Sequence, residues 1–228
     1  MRLNKLKTLL RPFFIWAINT RPYLAISRSQ GDWRYLYLLF AWWFTSILVP
    51  RRKVNVGNVS FTLQCDNWIT HFRWYLFRTK EAEVRNYIDA HLSDGDIFFD
   101  IGANIGVFSL YATKRYKNLN TYCFEPEYSN LHYLKENILR NDLINRVKIY
   151  SVAVSDTDGL SSLHIQDVTP GAAVHTESKS NIKVTDEGYD VIWSEGVAIK
   201  TIDSLCRGLK TVPNAIKIDT DGNELKIL

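Results

Sequence analysis

Residues 97–106 read Ile97-Phe98-Phe99-Asp100-Ile101-Gly102-Ala103-Asn104-Ile105-Gly106, and the reading of the fold turns on them. IFFDI (97–101) is continuously apolar rather than alternating, as expected of a strand buried inside a parallel sheet. Gly102 follows at once. It lets the backbone turn tightly and leaves room for a ligand against the main chain, while Gly106 lets a helix (about 105–117) approach the sheet. TYCFE (121–125) then reads as a second strand, EYSNLHYLKENILRN (127–141) as a helix, RVKIYSVAV (146–154) as a third strand and AIKID (215–219) as a fourth. Repeats of this kind predict an α/β fold, a Rossmann-like sheet of parallel βαβ units with helices on both faces and ligands beyond the strands' carboxyl ends.

The chemistry sits at those ends. Glu125 closes the second strand, where a carboxylate can accept hydrogen bonds from both hydroxyls of a ribose. The glycine loop is G-x-x-x-G, not the G-x-G-x-x-G that seats a pyrophosphate on a helix N-terminus. Asp100 precedes it, and an acid suits a cationic ligand better than a pyrophosphate. With Asp100 attracting the ammonium of a methionine moiety and Glu125 on the ribose, the expected cofactor is S-adenosyl-L-methionine.

Methyl transfer is an in-line displacement at a sulfonium carbon, and the enzyme must align the nucleophile and, where that is an alcohol, help remove its proton. Lys217, Asp219, Asp221 and Glu224 cluster at the end of the fourth strand. Asp219 is the candidate general base or the contact for the donor's methionine end, and Asp221 and Glu224 are candidates to orient the acceptor. The structural alternative is that Glu224 caps the next helix and Lys217 pairs with a neighbour. No histidine or third ligand accompanies the two aspartates, so no metal site is read. His164 and His175 lie in the insert between the third and fourth strands, facing either substrate or solvent.

FDIGANIGVFSLYA (99–112), FEPEYSNLHYLKENILRN (124–141), VAVSDTDG (152–159) and IKIDTDGNE (216–224), in that order, closely resemble the FkbM family of methyltransferases. The resemblance runs from about Thr79 to the end, with gaps in 160–200. It implies a class I fold and methyl transfer to oxygen, on a hydroxyl of a sugar, glycan or natural product. It also implies donor binding by Asp100, Gly102, Ala103, Asn104, Gly106 and Glu125, with Val152 and Ala153 beside the adenine. One departure is Asp221, where the family usually has Glu. Class I methyltransferases complete seven strands, so a chain ending at Leu228 is expected to be C-terminally truncated, with a sheet incomplete after strand four.

Other acceptors fit less well. Enzymes acting on exocyclic base nitrogens usually carry Asn-Pro-Pro-aromatic where this chain has Asp219-Thr220-Asp221-Gly222, and no cysteine stands at a strand end as C5-pyrimidine chemistry needs. An RNA methyltransferase and an inactive, truncated interaction module remain as alternative readings, and nucleic acid is not the expected partner. The three cysteines, Cys65, Cys123 and Cys206, lack metal-ligand spacing and suggest a reducing compartment, hence a cytoplasmic protein.

Outward from this core, residues 54–92 read as a hairpin turning at Gly57-Asn58 and a helix that Thr79 caps, with Val84, Tyr87, Ile88 and His91 on one face. WITHFRWYLF (68–77) is ambiguous between helix and strand. Residues 1–53 are different again: they sum to +9, with Asp32 their one acid, against +4 for all 228 residues. Apolar residues recur there at helical spacing among the basic ones, and YLYLLFAWWFTSILV (35–49) is uncharged but short for a span, which needs about 20 residues. Packing on the catalytic domain, lying in a membrane interface and tracking a nucleic-acid strand all fit this segment. Vesicle flotation of residues 1–53 separates them: association that requires anionic lipid is expected of an interfacial segment, and its absence removes that reading.

Overall fold

The computed structural model describes residues 44, 50–79, 81–173, 175–178 and 190–228. The segment 1–53 lies outside the described residues except for Phe44 and its last four positions, so the account below is of the compact unit Pro50–Leu228.

That unit opens with an antiparallel hairpin, β1 (Arg51–Val56) and β2 (Val59–Gln64), turning at Gly57-Asn58. Alternation places Val54, Val59, Phe61 and Leu63 in the core. The ambiguous aromatic stretch is helix α1 (Trp68–Thr79). Asn67 decides this locally, because its side-chain oxygen accepts from the Thr70 N–H at 2.9 Å and so caps the first turn. Thr79 does not cap the next helix. It ends α1, donating its hydroxyl to the Tyr75 carbonyl, and α2 (Ala82–His91) starts after Glu81 without a side-chain cap. Of the face expected to be apolar, only Ile88 is buried, while His91 is exposed and stacked on Tyr87.

The predicted βαβ series follows as β3 (Ile97–Ile101), α3 (Val107–Arg115), β4 (Asn120–Phe124), α4 (Tyr128–Arg140) and β5 (Val147–Tyr150). RVKIYSVAV is not one strand. It breaks after Tyr150, and β6 (Ala153–Val154) joins a second sheet with β7 (Gly159–Ile165), β8 (Thr176–Ser178) and β9 (Trp193–Lys200). No glycine or proline marks the break; pairing of Ala153-Val154 with β9, far along the chain, decides it. α5 (Ile202–Leu209), β10 (Ala215–Ile218) and α6 (Glu224–Ile227) complete the order.

The parallel sheet runs β10-β3-β4-β5, with the fourth predicted strand beside the first. Its two faces are sorted by the two-residue period of a strand. Phe98 and Cys123 pack with Leu110 of α3, Leu134 of α4 and the hairpin, and Phe99, Ile101 and Phe124 pack with Leu205 of α5 and Ile227 of α6. The open edge of β2 is closed by side-chain amides from α4 and the residue that ends it. Asn141 exchanges two hydrogen bonds with the Thr62 backbone, and the Gln64 N–H donates to Asn137.

Two glycines hold the β3–α3 connection in left-handed backbone, Gly102 at φ +70° and Gly106 at φ +84°. A β-carbon on Gly106 would meet Leu134, and one on Gly102 would be driven into the backbone carbonyl of Asp219. Backbone yields less readily than a side-chain tip, so Gly102→Ala is expected to cost about 2–5 kcal/mol. Thermal unfolding followed by circular dichroism checks this, and an unchanged midpoint refutes it.

Candidate active site

Asp100 lies two residues from Phe98 on β3, so its side chain points under α3 rather than out of the strand end. One carboxylate oxygen accepts from the Ser109 hydroxyl at 2.5 Å, and the other meets the Lys217 ammonium at 3.1 Å. Both charged side chains are buried, Lys217 9% and Asp100 1% exposed. Lys217 also reaches the Gly102 carbonyl at 3.4 Å and Asp219 at 3.4 Å. Burial alone would depress the lysine's pKa, but the two aspartates outweigh it and raise it, so Lys217 stays charged.

Glu125, at the carboxyl end of β4, is 5% exposed. Each of its oxygens accepts one backbone N–H, from Asn104 at 2.7 Å and from Glu127 at 3.0 Å. Burial pushes its carboxyl up to about 7 against the pull of those two donors. Asn104 stands at φ +50° and orders two segments at once: its amide donates to the Ala172 carbonyl while its oxygen accepts from Ile105 N–H. Glu127 caps α4, accepting from the N–H groups of Ser129 and Asn130.

These strand ends form one wall of a cleft of about 690 Å³, open to solvent. Gly102, Asn104 and Glu125 border it, as do Val152 and Ala153, Asp219 and Asp221. Three residues expected at the donor do not. Asp100 is turned under α3, Ala103 is buried outside the lining, and Gly106 packs against Leu134 as the left-handed residue before α3. Glu224 is absent from the lining as well. Its carboxylate folds back onto the N–H groups of Thr220 and Gly222, which outweigh burial and lower its pKa. Nor does Glu224 cap the next helix, as the structural alternative had it: it is that helix's first residue, Asn223 stands at the N-cap without a side-chain bond, and Glu224 ties the turn before it.

The second wall comes from the insert, where sequence reasoning had placed His175 but none of the other lining residues. The Pro170–Ala172 loop is held by side chains from three elements: Asn67 donates to Pro170, Arg73 Nε to Gly171 and Asn104 to Ala172, and Asn130 accepts from Gly171 N–H and donates to Ala172. This brings Arg73, Asn130, Ala172 and His175 to the cleft, with Glu177 of β8, whose carboxylate takes the hydroxyls of Ser155 and Ser161. The small run Gly171-Ala172-Ala173 was the one available signal, and small residues in a loop point to no partner by themselves. His164 bonds Ser194 at 2.8 Å within the second sheet and does not border the cleft. Among the described residues, no three His, Cys, Asp or Glu side chains group as a metal site, and no helix is long and apolar enough to cross a membrane.

Residues 100–228, more than half of the chain, match the methyltransferase FkbM domain. The chain belongs to the FkbM methyltransferase family. Among curated proteins, the family member is 38% identical over 178 residues to the 31-O-demethyl-FK506 methyltransferase FkbM of Streptomyces tacrolimicus, covering 68% of this chain and 66% of that one. It is 26% identical over 163 residues to methyltransferase sdnD of Sordaria araneosa, covering 62% of each. The chain thus spans somewhat less than two thirds of these relatives' lengths. Among solved structures, M. jannaschii TYW2 in complex with AdoMet is 25% identical at a TM-score of 0.32, covering 43% of this chain and 42% of that one. The family assignment stands on the sequence matches.

The family's methyl donor is S-adenosylmethionine, and the residues present fit it. Glu125 takes one backbone N–H on each oxygen, with the Asn130 side chain beside them, and still borders the cleft with acceptor capacity left. Val152 and Ala153 offer apolar surface beside it, and Asp219, its side chain 60% exposed, offers a carboxylate for a cationic end.

The buried pair beneath the cleft makes a distinct prediction. Lys217→Met leaves Asp100 charged and buried, and is expected to cost about 3–5 kcal/mol in chemical denaturation. Adding Asp100→Asn removes that charge and is expected to regain most of the loss. Equal stabilities of the single and double variants would contradict the assignment.

Proposed function

We propose that this chain is an S-adenosylmethionine-dependent O-methyltransferase acting on a hydroxyl of a small-molecule acceptor, of the sugar, glycan or natural-product class. The observation that carries the reading is Glu125, a buried carboxylate opening on the cleft at the end of β4, beside a glycine turn that brings Asp219 to the same cleft. When bound, the donor supplies an electrophilic methyl carbon on a positively charged sulfur.

The chain's own residues bind and orient. Glu125 accepts from the ribose hydroxyls through its remaining lone pairs. Val152 and Ala153 border the adenine. Asp219, partly neutralised by Lys217, faces the cationic methionine end rather than serving as a strong base. Asp221, at φ +52°, borders the acceptor side from the turn that Glu224 braces. The choice of oxygen as acceptor is supported by the relative whose name places transfer on the 31-O position of demethyl-FK506.

Calorimetric titration of S-adenosylmethionine tests this. The wild-type chain is expected to bind saturably and Glu125→Ala to lose binding. Because Glu125 titrates at about 7, and ribose hydroxyls favour its charged form, binding below pH 7 must release a proton. Affinity is therefore expected to weaken about tenfold from pH 8 to pH 6, with proton release visible as a buffer-dependent heat. Tight binding by Glu125→Ala, or no binding by the folded wild-type chain, overturns the reading and puts the interaction module first.

A further inference from the structure

His175 borders the cleft from the loop before β8, and both of its ring nitrogens are buried without a hydrogen-bond partner among the described residues. Leaving a buried nitrogen unpaired costs about 1–3 kcal/mol, so a histidine with both unpaired is out of keeping with a purely structural role. Its position follows from the loop before it, which Asn67, Arg73, Asn104 and Asn130 hold against the donor-side strand ends.

The charged groups around the ring come from four elements: Glu127 at the start of α4, Asp221 in the turn after β10, Asp167 after β7 and Arg73 of α1. Burial outweighs the three carboxylates and lowers the pKa below the ordinary histidine value, so the imidazole is neutral at pH 7 and keeps a lone pair. The same carboxylates would steady an imidazolium once it formed.

The other basic groups of the cleft are engaged. Asp219 is paired with Lys217, and Glu177 takes two serine hydroxyls. A carboxylate is in any case the weaker base, its ordinary pKa lying about two units below that of imidazole.

Resting on the methyltransferase reading above, we propose that His175 is the catalytic general base for the acceptor hydroxyl. The hydroxyl oxygen forms its bond to the donor's methyl carbon as the carbon–sulfur bond breaks, with the electron pair of that bond remaining on sulfur as a neutral thioether. The hydroxyl proton passes to the unprotonated ring nitrogen of His175, and the imidazolium returns it to solvent.

The test has two arms on the full chain. In the first, the His175 ring is titrated by nitrogen-detected NMR with S-adenosylhomocysteine bound and again with sinefungin bound, which carries a cationic amine in place of the sulfonium methyl. A histidine beside the methyl position is expected to titrate at least about half a unit lower with sinefungin. In the second, His175→Gln is compared with wild type for donor affinity and for transfer to 31-O-demethyl-FK506. Donor affinity is expected to stay within about twofold while kcat falls about 10²–10⁴-fold and the acid limb of the pH profile disappears.

Identical His175 titrations in the two complexes overturn the proposal and leave donor binding standing, as does a His175→Gln variant with wild-type kcat. Binding of neither analogue overturns the methyltransferase reading and this proposal together. If wild type does not turn over that acceptor, the NMR arm decides alone.

Discussion

The arrangement of the cleft depends on one buried ion pair, Asp100 with Lys217, across adjacent parallel strands. Such a pair adds little net stability over an apolar one, because both charges must leave water. Its consequence is positional. A slip of one residue in β10 would turn Lys217 to the opposite face, among Phe99, Ile101 and Phe124, and strand Asp100 without a cation. The pair therefore sets the register that places Asp219 against Gly102, at an approach with no room for a methyl group. The glycine is thus required by its neighbour as well as by its own left-handed backbone.

The cleft has two walls of different origin. The strand ends supply Gly102, Asn104, Glu125 and Asp219 from one sheet, where ligands are expected in open α/β folds. The facing wall comes from the insert and is held by amide side chains rather than by a shared core. Three asparagines and one arginine satisfy its loop backbone. Asn104 belongs to both walls, with its N–H on Glu125 and its amide on Ala172. That residue therefore ties the glycine loop directly to the insert.

How much of this was legible can be followed residue by residue. Glu125 and Gly102 were readable because strand period and loop spacing are local, and both border the cleft as placed. Asp100 was readable as an acid at a strand end, but its direction follows from alternation with Phe98, which turns it to Lys217 and Ser109. Asn67 was available as a helix cap and would have resolved the aromatic stretch; Thr79 drew the cap instead, although its hydroxyl serves the turn behind it. The second sheet was not legible. β6 is two residues long and pairs with a strand more than forty residues away, and no local pattern encodes such a partner.

The sequence by itself determined the order of strands and helices along the parallel sheet, the glycine turn, the carboxylate at the end of its second strand and the resemblance to a methyltransferase family. Each of these is written in residues near one another along the chain, where backbone period and spacing act. Only the tertiary structure decided that Asp100 meets Lys217 beneath the cleft, that Glu224 braces a turn, and that His175 comes to the cleft with neither ring nitrogen paired among the described residues. Those outcomes depend on which distant groups share a buried volume, and burial with its partners, not residue type, sets what a side chain can do.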